Sequence, residues 1–435
     1  MGSLDDDFSF VAASVERAAR VQRAACRAVL SDQTQRGQSL ALHLDLAYDA
    51  IERRVVDRRT VYASAPDDTV RRDAIVELQR LLWQVRKLQS NLSWLEAAQD
   101  PPLDLGTRYF VEDVARALVA KDAEVTVVAT DFTSYATSSD PWEPLISNWG
   151  SGLPAGAAPV VVVFIPRREA HSGLLHPLIV HELAHAADSQ HGIVDEVWRI
   201  AQARKRFAAR FSKAVTAFSS AHSVSLQDAN DHITQALRSW IAESFCDSVA
   251  THHLGPTYLY SFLSEVAPGG LDDPGPNHPP PRRRIRRMLI DLDRLGWTDV
   301  IRNADADLES WVRDLAGEAI PYTGHVEFLV WAIDELAVVV RKATERIVAG
   351  RIFCPNLDEL AEVSELLSAR IPPAQRHNRA PVARESIIVA AWHAALIAAG
   401  GGPTALATAP DAAELAELLP SALELGALVA TWSNP

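Results

Sequence analysis

Cysteine is scarce and scattered. Three occur in 435 residues, Cys26, Cys246 and Cys354, with no CxxC pair among them. That excludes a fold built on disulfides and suits a reducing compartment. A surplus of positive charge is missing too, since the formal net charge is −14. Without a general basic field there is nothing to hold a phosphate backbone, so nucleic acid is excluded as the expected partner. Long apolar runs are absent as well. The most apolar late stretch, SIIVAAWHAALIAAGGG at 386–402, is interrupted by His393, broken by glycines and shorter than a bilayer requires. It reads as a buried helix, and no membrane span is expected. The opening MGSLDDDFSF is acidic where a secretory leader is basic, and it carries Asp6 where a myristoylation signal has Ser or Thr. A cytoplasmic location is the expectation.

What remains is the composition of a globular protein, 48% hydrophobic and 23% charged, long enough for two or three cores. The one dense basic cluster is Arg282, Arg283, Arg284, Arg286 and Arg287, a pattern that ordinarily marks a solvated helix face. No internal repeat is visible.

The first hundred residues follow a helical period. In DTVRRDAIVELQRLLWQVRKLQSNLSWLEAA, for example, Ile75, Leu78, Leu81, Leu82, Val85 and Leu88 recur at threes and fours. Beyond QDPPLDLG two β-branched runs, 123–130 and 158–166, predict strands, with a turn-rich connection between them. Helical pattern resumes near 174, breaks at Gly192 and at 222–225, and predicts a long helix at 226–254. A Pro/Gly loop at 267–284 then leads to helices that continue to the end of the chain. The expected fold is α+β and predominantly helical. Residues 1–105 form a helical region, 106–300 a zincin-like domain with a small sheet, and 301–435 a second helical region.

The chemistry concentrates in HPLIVHELAHAADSQHG, residues 176–192. His181 and His185, four apart, share one helix face and can chelate one cation, while Glu182 between them can serve a water at that cation. Pro177 suits the first turn of such a helix, and Leu175, Ile179, Leu183 and Ala186 supply an apolar stripe for docking.

HExxH needs a third ligand, and two are on offer. One is His191, giving HExxHxxDxxH, near the metzincin pattern but with Asp188 where that pattern has the glycine that breaks the helix. If the helix instead runs to Gly192, His191 lies about 9 Å beyond His185 along the axis and cannot ligate. The only internal methionine, Met288, falls in a helical context, which departs from the metzincin turn. The other candidate is Glu243 in SWIAESFCDSVATHHLGPTY, with Asp247 four residues on and able to accept the free ring N–H of a ligating histidine.

HExxH followed on a later helix by ExxxD resembles the gluzincin zinc peptidases. NHPPPRRRIRRML at 277–289 resembles the His-Pro-Pro segment of the HtpX and CAAX-prenyl-protease members. The likeness covers 159–289 and lacks those members' membrane part. It implies a zinc peptidase, acting on a protein or peptide, with His181, His185 and Glu243 as zinc ligands, Asp247 behind them and Glu182 as general base. A donor for the developing oxyanion is also needed; His278 is the first candidate, with Tyr258, Tyr260 and His253 behind it. The run VVVVFI before the HExxH helix is expected to act as the substrate-binding edge strand, its apolar sequence allowing an interior strand as well. The alternative from another class is a helical interaction or regulatory protein whose zinc is structural, with His191 or another residue as fourth protein ligand and no place for water, or whose zinc site is inactive or lost.

Overall fold

The computed structural model describes residues 3–31, 37–99, 103–131, 135–150, 152–167, 173–174, 176–266, 270–304, 310, 312–314, 316–317, 321–376, 381–398, 418–426 and 428–429. Contacts divide the chain into two compact units. One comprises 1–102, 120–132 and 137–165; the other comprises 103–119, 133–136 and 166–435. The strands therefore group with the N-terminal helices, and the helices after 301 group with the HExxH segment.

In the first unit, helices α1 (Leu4–Ser31), α2 (Gln38–Ala63) and α3 (Asp68–Ser90) form a bundle. Three aspartates in the first turn of α1 complement the helix dipole. Asp67 caps α3 by accepting from the N–H groups of Thr69 and Val70. The threes-and-fours pattern of α3 faces inward as expected, with Ile75, Leu78, Leu81, Val85 and Leu88 buried.

A three-stranded sheet joins this unit, β1 (Glu124–Thr130), β2 (Ala136–Ser139) and β3 (Val160–Pro166), in the order β1-β3-β2. β3, the VVVVFI run, is thus the central strand. Its backbone donors and acceptors are committed to neighbours on both sides, so it is not the edge strand at which a peptide could add. The expected irregular connection before it also contains more structure, namely β2 and a short helix, Glu143–Trp149. The polar ATSS of β2 carries little strand propensity; it is held by pairing with β3, and Asp140 accepts the Val160 N–H at 2.9 Å.

In the second unit, helix α4 (Pro177–His191) carries HExxH, with Pro177 in its first turn. Ile179, Leu183 and Ala186 are buried, while Leu175 lies outside the described residues. The helix runs through Asp188 and stops at Gly192, which adopts φ 64°, the left-handed conformation of a helix terminator. Asp188 supports that stop by accepting the Val194 N–H at 2.7 Å, at the start of α5 (Ile193–Gln202).

Helix α6 (Leu226–Leu254) has the bounds the sequence predicts, capped by Ser225 accepting the Asp228 N–H. Every residue from Glu243 to Leu254 is buried, which makes the second half of α6 the centre of this unit. It packs against α4, against α7 (Pro256–Val266), against α8 (Pro281–Arg294) and against α9 (Gly324–Ile347). The late apolar stretch forms α10 (Arg384–Ala398), with Ile387 to Trp392 buried; its glycines at 400–402 lie outside the described residues. Among the described residues no helix is long and apolar enough to cross a membrane.

Candidate metal centre

All the groups of this site come from the second unit. α4 and α6 pack face to face, and residues four apart on each meet across the contact. His181 Nε2 stands 3.4 Å from Glu243 Oε2, and His185 Nε2 stands 3.3 Å from Glu243 Oε1. Bonds of about 2.1 Å arranged tetrahedrally around zinc place neighbouring donors about 3.4 Å apart. Each of the two distances matches a pair of donors on one cation, one to each oxygen of Glu243. His181 and Glu243 are buried, and His185 is partly exposed, so the centre has one open side.

Behind His181 lies a chain of polar contacts. Asp247 Oδ1 is 3.2 Å from His181 Nδ1, and the Tyr258 hydroxyl is 2.8 Å from the same nitrogen while also donating to Asp247. An ionised carboxylate only accepts, so the phenolic hydrogen belongs to Asp247 and the Tyr258 oxygen accepts from His181 Nδ1. Nδ1 is thus the nitrogen tied to Tyr258 and Asp247; without metal Nε2 also carries a proton, donated toward Glu243, and it is this proton that a cation would replace.

Arg284 explains how two acids are tolerated in this core. Its Nε and Nη2 donate to Asp247 at 2.8 and 2.7 Å, and Nη2 also lies 3.1 Å from Glu243 Oε2. Its guanidinium stacks over the Phe262 ring at 4.6 Å. Burial alone would raise both carboxyls, but Arg284 and the histidines prevail, holding Glu243 well below the usual range and Asp247 at about 2. For His181, burial acts downward, yet its hydrogen bonds with Asp247 and Glu243 lift it to about 10 in the metal-free protein.

Glu182, next to His181 on α4, is partly exposed. His278 is about half exposed at the rim, with Nε2 3.5 Å from Glu243 Oε1. The other two groups expected behind it lie elsewhere. The Tyr260 hydroxyl meets His393 at 3.3 Å, and His253 lies 3.8 Å from Glu385, both on α10. His191 is also accounted for away from the centre, since its Nε2 lies 3.0 Å from the Leu118 carbonyl oxygen.

For Arg284 the sequence left open a solvated face, as one of five arginines in a run, and a pairing with an acid; the structure has the pairing. Cys246 was not anticipated as a donor. Cys246 is fully buried, and its sulfur and one nitrogen each of His181 and His185 all lie within 4.8 Å of one another. Its spacing of three from Glu243 on one helix was the available signal. In the metal-free protein, burial pushes the Cys246 thiol well up, and the surrounding carboxylates add to the effect. Two imidazoles with a carboxylate or a thiol are a donor set suited to zinc. The chain has no match among protein-family models, among curated proteins or among solved structures.

Proposed function

We propose that this protein is a zinc-dependent peptidase, acting as an endopeptidase, in which His181, His185 and Glu243 hold the metal and Glu182 is the general base. The observation that carries this is the placement of two imidazole nitrogens at 3.4 and 3.3 Å from one carboxylate, with a polar chain fixing the tautomer behind them. It agrees with the gluzincin resemblance and with a zincin-like arrangement built on α4 and α6.

A zinc ion held there supplies Lewis acidity toward a water and a peptide carbonyl. The rest is the work of side chains. Glu182 takes the proton of the attacking water and returns it to the leaving amine. Asp247 and Tyr258 keep His181 in the tautomer that offers Nε2, and Arg284 keeps both acids ionised. His278, at the rim beside Glu243, donates to the oxygen on which negative charge develops. The substrate is a protein or peptide, and the three free cysteines fit a cytoplasmic enzyme.

The test is cleavage of a proteome-derived peptide library by the zinc-loaded protein, beside Glu182→Gln. Cleavage by the wild type, with a loss of about a hundredfold or more in a variant that still holds zinc, supports the assignment. A zinc-loaded wild type that cleaves nothing in the library, or a variant that cleaves as well, sinks it.

A second reading rests on Cys246. With its thiolate as a ligand beside His181, His185 and Glu243, four protein donors would surround the metal and leave no place for water, making the zinc structural. Glu243 oxygens stand 3.4 and 3.3 Å from the two imidazole nitrogens, whereas the Cys246 sulfur is placed only within 4.8 Å of them, which favours the three-ligand centre.

A further inference from the structure

Three histidines far apart in the sequence meet on the surface of the second unit. His222 closes the helix Lys205–His222, His232 lies in the second turn of α6, and His325 lies in the first turn of α9. All three rings contact one side chain, Phe218, with centroids at 4.2, 4.7 and 4.8 Å. His325 also stands 6.4 Å from His222 and 6.0 Å from His232, ring centre to ring centre.

Their surroundings leave the rings available. His222 and His232 are exposed, and His325 is partly exposed. None of the three makes a hydrogen bond or an ion pair among the described residues. The planes of His222 and His232 are tilted 37° and 18° from that of Phe218, so Phe218 meets their faces and leaves their nitrogen edges free. Burial and the two neighbouring imidazoles push His325 below its ordinary pKa, which keeps a ring lone pair available at neutral pH.

Imidazoles converging from three helices are a donor set for transition metals, whereas magnesium and calcium take oxygen ligands. Two imidazoles on one ion bring their ring centres to about 5 Å. His181 and His185 already have that spacing, at 5.0 Å. The rings around Phe218 stand about 1 Å wider, a gap that rotation of the exposed His222 and His232 side chains can close.

We propose that His222, His232 and His325 form a second metal site, which takes a divalent transition-metal ion of the imidazole-preferring class, with solvent completing its coordination. His325 is central to it, standing beside both other rings. The bound ion ties the end of the helix Lys205–His222 to the first turns of α6 and α9. Because its ligands are exposed and must move to converge, the site holds its ion more weakly than the α4–α6 centre and empties on desalting. It stands on its own observations and does not depend on the peptidase reading.

Copper(II) added to the zinc-loaded, full-length protein tests the site, read by electron paramagnetic resonance, to which zinc is silent. The expected result is one copper per chain with hyperfine structure from imidazole nitrogens, undisplaced by about a hundredfold excess of magnesium and without release of zinc. His325→Ala is expected to weaken copper binding by at least about tenfold, and so is His222→Ala combined with His232→Ala. His222 and His232 are exposed, so the double variant is expected to keep the wild-type unfolding temperature and decides the matter if His325→Ala impairs folding. Undiminished binding in either folded variant, a signal without nitrogen coupling, or copper taken up only as zinc is released would each overturn the proposal.

Discussion

Arg284 holds Asp247 through two donors at 2.8 and 2.7 Å while its Nη2 lies 3.1 Å from Glu243. One guanidinium thus stabilises both the carboxylate that faces the metal and the one that orients His181. Asp247 is 2% exposed, so removing its cation leaves a buried charge with little solvent to compensate it. Arg284→Ala is expected to destabilise the protein by about 3–5 kcal/mol. Denaturant unfolding checks this, and a loss below about 1 kcal/mol would show that the pair is dispensable.

Tyr258→Phe keeps the ring and removes the hydroxyl between His181 and Asp247. Asp247 remains held by Arg284, so the fold is expected to persist. The imidazole loses an orienting partner, and zinc affinity is expected to fall about 10- to 100-fold. Competition with a chromophoric chelator measures it, and an unchanged affinity would show that the hydroxyl does not orient the ligand.

Acid and base should each weaken this site, through different groups. Asp247 is depressed to about 2, so its contribution is present above the unfolded value near 4 and is lost as pH falls toward 2. His181 is raised to about 10 without metal, so its contribution is full below about 6.5 and declines as pH rises through 10. The metal-free protein is therefore expected to be most stable between about pH 4 and 6.5 as far as these groups decide it. Unfolding temperatures across the pH range check this. A maximum above pH 9 would contradict it.

His278→Ala tests the rim. If His278 stabilises the developing oxyanion, kcat is expected to fall about a hundredfold with KM and zinc content little changed. A change in KM alone would make it a substrate contact.

His191→Ala removes a bond to the Leu118 carbonyl at the end of α4. Zinc content is expected to stay the same, with stability lower by about 1 kcal/mol. Loss of zinc would reinstate the metzincin-like ligand set.

The parts legible in the sequence were those set by local chemistry. Ser225 and Gly255 bracket α6, and the four-residue spacings place His181 with His185 and Glu243 with Asp247 on their respective faces. The left-handed Gly192 ends α4 and keeps His191 beyond reach, as the run of helix through Asp188 requires. What the sequence concealed depends on contacts between distant segments. ATSS becomes β2 only because β3 has a free side, and that same pairing moves β3 to the centre of the sheet. That Arg284 pairs with an acid was one reading open from the sequence, but which acids it holds follows only from the packing of α8 on α6. Cys246 looked like core filling beside Glu243 until α4 brought two imidazoles to it.

Zinc per chain in wild type, Glu243→Ala and Cys246→Ser decides whether Glu243 or Cys246 completes the metal centre. One zinc is expected in wild type, most of it lost in Glu243→Ala and all of it kept in Cys246→Ser. Zinc retained in Glu243→Ala and lost in Cys246→Ser would contradict this, and would make Cys246 the third ligand in place of Glu243.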